Sequence, residues 1–246
     1  LQAFSAVMPK IWKTDWQTLF NGKNLDGWTV KIHHHNVGEN VAETFRVESG
    51  LLRVSYDKYG TFDKQFGHLY FNQPYSNFHL KLDYHFYGDF KSDAPHYARR
   101  NSGVMYHSQA PDTILKEQDW PISVEMQFLA GLDDGKARPT GNMCSPGTDI
   151  EYQGAVYADH CLMSSSPTIP VDEWVSAELI VNNGNVTHII NGDVVLQYTR
   201  PTMGGAFIKG YDPSVWTQGK PLTSGYIALQ SEGHPIEFKN IEIKAL

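Results

Sequence analysis

Hydrophobic and polar positions alternate with period two along most of this chain. In residues 121–131, Ile122, Val124, Met126 and Phe128 fall on one side and Ser123, Glu125 and Gln127 on the other. Successive strand side chains point to opposite faces, so this spacing predicts a strand with one face for a core and one open to solvent or a ligand. Glu and Gln are not favoured in strands, which singles out Glu125 and Gln127. The alternation recurs at 78–86, where Leu80, Leu82, Tyr84 and Phe86 alternate with Lys81, Asp83 and His85. At 101–109, Val104 and Tyr106 oppose Gly103, Met105, His107 and Gln109; at 225–234, Ile227 and Leu229 oppose Tyr226, Ala228, Gln230 and Glu232. Residues 67–70 and 236–243 read as further strands, and 44–56 as a hairpin turning at Ser49-Gly50. Three strands at 174–181, 186–190 and 193–198 are joined by Asn183-Gly184 and Asn191-Gly192, dipeptides suited to type I′ turns with two positive φ angles. Residues 87–100 read as a long loop. Residues 131–170, rich in Gly, Pro, Ser and Thr, read as the largest irregular region. No long amphipathic helix is predicted. The expectation is an all-β chain, an antiparallel sandwich or jelly roll.

Composition narrows the partners. A chain of 246 residues fits one β domain, here 16–246, preceded by an N-terminal extension at 1–15, whose first residues, Leu1 to Val7, are apolar but short and lack the basic start of a signal peptide. An aromatic share of 13% suits strands, and also sugar binding, because ring faces pack on pyranose faces. A net charge of −7 with no basic block argues against nucleic acid, and no apolar run is long enough to span a bilayer. Cys144 and Cys161, close together on one Gly- and Ser-rich loop, read as a disulfide, which implies an oxidising compartment; two unrelated thiols is the alternative.

Three predicted strands present polar groups on one face: Glu125 and Gln127; Gln230 and Glu232; Asn101, His107 and Gln109. If these strands are neighbours, they line a cleft with carboxylates, amides and a histidine. Paired carboxylates are the usual equipment of glycosidic chemistry. If they are not neighbours, these are separate solvated positions. The run His33-His34-His35 is a surface loop or a metal site; consecutive residues alternate, so at most two rings converge without a turn, with His34 and His35 as candidate ligands. Imidazoles would suit a transition metal, whereas loop carboxylates would suit calcium. There is no Gly-x-Ser-x-Gly elbow, phosphate-binding glycine loop or His-Glu-x-x-His pair. The Glu-x-Asp-x-x-Glu alternation of laminarinase-like glucanases is also missing.

The segments Leu19-Phe-Asn-Gly-Lys-Asn-Leu-Asp-Gly-Trp28, Phe45-Arg-Val-Glu-Ser-Gly50, Arg100-Asn-Ser-Gly103, Val124-Glu-Met-Gln127, Gly225-Tyr-Ile-Ala-Leu-Gln230 and Ile236-Glu-Phe-Lys-Asn-Ile241 resemble the 3-keto-disaccharide hydrolase family. The resemblance runs from about Trp16 to the C-terminus. It implies a concanavalin A-like jelly roll of two antiparallel sheets in a periplasmic or secreted bacterial protein, often lipid-anchored to the outer membrane. The activity it implies is cleavage of glycosides oxidised to a ketone at sugar carbon 3. That ketone acidifies the hydrogen on carbon 2, so a base can remove it, the aglycone leaves carbon 1, and water adds back. On the strand faces, Glu125 is the expected base or metal ligand, and His160 and Glu232 are the expected leaving-group acids. Gln127, Gln230 and His107 would line the sugar site, and Arg100 and Asn101 would steady the carbonyl. Two alternatives remain at this level: a carbohydrate-binding module without turnover, and a conventional glycosidase acting on unoxidised glycans.

Overall fold

A computed structural model describes residues 16–205 and 207–246. The expected extension at 1–15 lies outside the described residues. The chain forms two packed antiparallel sheets, and the helical structure among the described residues amounts to short 3-10 turns. This is the sandwich that the alternating pattern predicts.

The larger, ten-stranded sheet runs through Asp193–Met203, Asn185–Ile190, Val175–Asn182, Phe78–Phe86, Ile236–Ala245 and Leu51–Val54. Its hairpins turn where the sequence predicts. Asn183 and Gly184 have φ of 48° and 77°, and Asn191 and Gly192 have 50° and 87°, the double positive φ of type I′ turns. The smaller, seven-stranded sheet has the spatial order Cys161–Leu162, Asn142–Cys144, Val124–Leu129, Asn101–Ser108, Tyr226–Ser231, Gly67–Phe71, Trp28–Ile32. The three strands that carry the polar alternation are therefore direct neighbours.

The core lies between the sheets. Val104, Tyr106, Val124, Met126, Phe128, Ile227 and Leu229 enter it from the smaller sheet and meet Leu80, Leu82, Tyr84, Phe86 and Phe238 from the larger one. Tyr84 and Phe128 stack with ring centroids 4.2 Å apart. The outer face of the smaller sheet is also covered. Ile114 packs there on Tyr70, Met105 and Ala228, so the segment following the Asn101–Ser108 strand forms a strap over this face. Gln109 holds the strap down: its Oε1 accepts from Ile122 N at 2.8 Å and from Gln118 Nε2 at 2.7 Å.

Residues 131–170 are more regular than the sequence reading expects. They contain Asn142–Cys144, Thr148–Tyr152, Ala155–Val156 and Cys161–Leu162. These strands are two to five residues long, too short to show a period, and pairing with neighbours defines them instead. Cys144 and Cys161 face each other in register and form the expected disulfide.

Candidate active site

The outer face of the smaller sheet holds a cavity of about 390 Å³ lined by Asn101, Glu125, Gln127, Cys144, Cys161, His160 and Glu232, with Tyr97, Trp120, Pro146 and Phe207 closing it. Strand register explains the floor. Gly103 pairs with Gln127, which pairs with Asn142, and Met105 pairs with Glu125, which pairs with Cys144. Gly103 makes room for the Glu125 side chain: a Cβ there would lie 2.9 Å from Glu125 Cγ and would overlap the carboxylate. Glu232 follows the end of the Tyr226–Ser231 strand and reaches the same space.

Both carboxyls are at least nine-tenths buried. Burial and the charge of Glu232 push the Glu125 carboxyl well above the usual carboxylate range. Burial raises Glu232 to about 7, while the hydrogen bond it accepts from Trp120 Nε1 at 3.2 Å opposes the rise. The Glu125 carboxylate accepts no hydrogen bond from the described residues. Desolvation of both carboxyls and the charge of Glu232 beside Glu125 thus favour a pair that holds one proton, and the Trp120 donor favours Glu232 as the ionised partner.

Gln127 is oriented by its neighbour. Asn142 Oδ1 accepts from Ser164 N at 2.8 Å, and Asn142 Nδ2 donates to Pro139 O at 2.8 Å and to Gln127 Oε1 at 3.0 Å. This fixes the oxygen of Gln127 and leaves its amide Nε2 free to donate. Asn101 gives Nδ2 to Tyr97 O at 2.9 Å, and its buried Oδ1 has no partner. His160 lies against Phe207 with centroids 4.3 Å apart; burial lowers its pKa, and its Nδ1 has no partner. Burial, aided by Glu232 and Asp119, pushes Tyr97 up to about 12, so its hydroxyl at the rim keeps its proton.

Not every predicted residue reaches the cavity. Arg100 turns away, donating Nη1 to Gly131 O and to Asp133 Oδ2, the latter at 2.8 Å. Gln230 is fully buried under the strap beside His68, with its Nε2 3.5 Å from His68 Nε2. His107 leaves the outer face at a β-bulge. Tyr226 pairs with Ser108 and Ala228 with Met105, so one extra residue breaks the alternation, and His107 takes φ 47°. Its ring lies edge-on to Phe78 instead. It borders a larger hollow of about 710 Å³. The charges in that hollow, Arg200 and Glu151, pair with each other at 3.6 Å, so it offers less for chemistry than the smaller cavity. Sequence reasoning missed Trp120, Tyr97 and Phe207, which come from loops where no periodicity marks a direction.

His35 is drawn off to Gln65 Oε1 at 2.8 Å, whereas His34 meets Glu117 Oε2 at 2.7 Å. His33, the neighbour of this pair, is buried.

The sequence model of the 3-keto-alpha-glucoside-1,2-lyase-like domain matches residues 15–244. A 3-keto-disaccharide hydrolase of Bacteroides thetaiotaomicron is 23% identical, with 93% of this chain and 78% of that protein covered. A glycosyl-hydrolase-like protein of Parabacteroides distasonis superposes with a TM-score of 0.57 at 21% identity over 94% of both chains. The carbohydrate-binding module CBM66 of Bacillus subtilis gives 0.50 at 10% identity, covering 93% of this chain and 100% of the module. At these identities the superpositions show the fold alone.

Proposed function

We propose that this chain, which belongs to the 3-keto-alpha-glucoside-1,2-lyase-like family, cleaves glycosides that carry a ketone at carbon 3 of the sugar. The observation that carries this reading is the buried carboxyl pair, Glu125 and Glu232, on the floor of one cavity with both affinities for protons raised. A pair holding one proton supplies a base and an acid at neutral pH, which elimination next to a ketone requires.

Glu232, ionised and held by Trp120, takes the proton from carbon 2. The electron pair of that C–H bond moves toward the carbonyl, and the enediolate oxygen receives hydrogen bonds from Gln127 Nε2 and the Tyr97 hydroxyl. The enediolate then expels the aglycone from carbon 1, and Glu125 protonates the departing oxygen. The pair again holds one proton, now on Glu232. Water adds at carbon 1, its proton passing through neutral His160 to Glu125, and Glu232 returns its proton to carbon 2. Bonds and protons balance to net hydrolysis. The sequence-level assignment of Glu125 as base is thereby exchanged with that of Glu232, because only Glu232 has a donor stabilising its charge. The Cys144–Cys161 bridge supports a secreted or periplasmic setting.

The test is incubation with a 3-keto-glucoside and with its unoxidised parent. The proposal expects cleavage of the first alone. Cleavage of both would indicate a conventional glycosidase, and binding without cleavage a carbohydrate-binding module.

A further inference from the structure

The strap that carries Trp120 into the cavity is joined to the edge of the sheet by a second cluster of groups. His34 N donates to Lys116 O at 2.9 Å, and Lys31 Nζ approaches the same carbonyl at 3.5 Å. Beside these bonds, one carboxylate oxygen, Glu117 Oε2, lies 2.7 Å from His34 Nδ1 and 3.3 Å from His33 Nε2. The rings of His33 and His34 are 4.0 Å apart.

His34 Nε2 is 2.9 Å from Asp63 O. A carbonyl only accepts, so Nε2 carries the hydrogen, and in the neutral ring Nδ1 is a lone pair. That lone pair faces Glu117 Oε2, which is also an acceptor. His33, 6% exposed, contacts Asp119 Oδ1 through Nδ1, yet the contact is not aligned as a hydrogen bond and both atoms are buried without a partner. With the ring neutral, the lone pairs of His34 Nδ1 and Glu117 Oε2 therefore face each other with no hydrogen between them, an arrangement that a shared cation completes.

We propose that His33, His34 and Glu117 bind a divalent first-row transition ion, with Asp119 orienting the His33 ring from outside the coordination shell. The potential ligand atoms of His33, His34 and Glu117 all lie within 4.8 Å of one another. Two neutral imidazoles and a carboxylate suit zinc or cobalt, and imidazole disfavours calcium. A carboxylate on the far nitrogen of a ligating histidine is the usual outer support of such a site, and Asp119 stands in that position. The ion would fasten the strap segment at Glu117 to the end of the Trp28–Ile32 strand, three residues before Trp120, and so hold the indole against Glu232.

Titration calorimetry with Zn²⁺ on untagged, EDTA-stripped protein tests this, with the visible spectrum of the Co²⁺ form reporting the ligands. The expected result is one equivalent bound, weakened at least about 100-fold by His34→Gln or Glu117→Gln and unchanged by His35→Gln. Both weakening substitutions are at exposed or half-exposed positions, and circular dichroism checks that they fold. Absence of binding to the wild type would overturn the proposal, as would affinity unchanged in the His34 and Glu117 variants. The readout involves no sugar, so it stands or falls separately from the proposed glycoside cleavage.

Discussion

The two faces of the seven-stranded sheet treat buried polar groups in opposite ways. On the inner side, where it meets the larger sheet, a polar network is matched bond for bond. His188 Nδ1 donates to Gly141 O at 2.8 Å, so its Nε2 accepts from Tyr198 Oη at 2.8 Å; Tyr106 Oη completes the chain 2.6 Å from Tyr198 Oη. Tyr84 Oη and Thr140 Oγ1 meet at 2.7 Å. On the outer face Glu232 Oε2, Asn101 Oδ1, His160 Nδ1 and Gln230 Oε1 are buried without partners. An unpaired buried polar group costs about 1–3 kcal/mol, so a fold that keeps several in one place gives up stability there. The inner network joins the sheets. Of the outer groups, Glu232, Asn101 and His160 line the cavity, where a polyhydroxylated ligand would satisfy them; Gln230 lies under the strap.

The largest effect that tests this contrast is expected at Glu232. Glu232→Gln should lower kcat on a 3-keto-glucoside by about 10³-fold, as measured by product release. In the wild type, kcat/KM should rise with pH through about 7 as Glu232 ionises. Stability should move the other way. The folded-state affinity for the proton exceeds that of the unfolded chain, so the unfolded state ionises first as pH rises. Stability is full below the ordinary glutamate range and is lost as pH rises through about 7, by ~1–3 kcal/mol. Denaturant titrations should show that slope flattened in Glu232→Gln, with the variant more stable than wild type at pH 8.

Next in size is the bridge in the cavity wall, which closes a loop with a sequence separation of 17. Replacing both Cys144 and Cys161 with Ser should cost about 3 kcal/mol in urea unfolding. The smallest effect belongs to the inner face. Tyr198→Phe should cost about 1–2 kcal/mol, because it leaves His188 Nε2 buried without a donor. It should leave kcat within about twofold, since Tyr198 does not line the cavity. A large loss of activity in that variant would dissolve the distinction between the faces.

Part of this contrast is legible in the sequence. Period-two spacing assigns Glu125, Gln127 and Glu232 to one side, and Asn-Gly dipeptides fix hairpins because turn chemistry is local. Strand order is not local, and only the sheet brings Glu232 beside Glu125. A bulge removes His107 from its expected face, since one inserted residue reverses everything beyond it. Trp120, Tyr97 and Phe207 lie in connections without periodicity, so nothing in the spacing shows that they enclose the carboxyl pair. His33–His35 illustrates the same limit: alternation allows two rings to converge but does not say which two, and the positive φ of His34, 75°, brings His33 and His34 together and leaves His35 apart.

The division of labour between the two carboxyls is tested most directly by loss of deuterium from carbon 2. A 3-keto-glucoside deuterated at that carbon is incubated with wild type, Glu125→Gln and Glu232→Gln, and the label is followed by NMR. The wild type should release deuterium with cleavage. Glu125→Gln should still exchange it while cleaving slowly, and Glu232→Gln should retain it. Deuterium loss that persists at the wild-type rate in Glu232→Gln would contradict its assignment as the base.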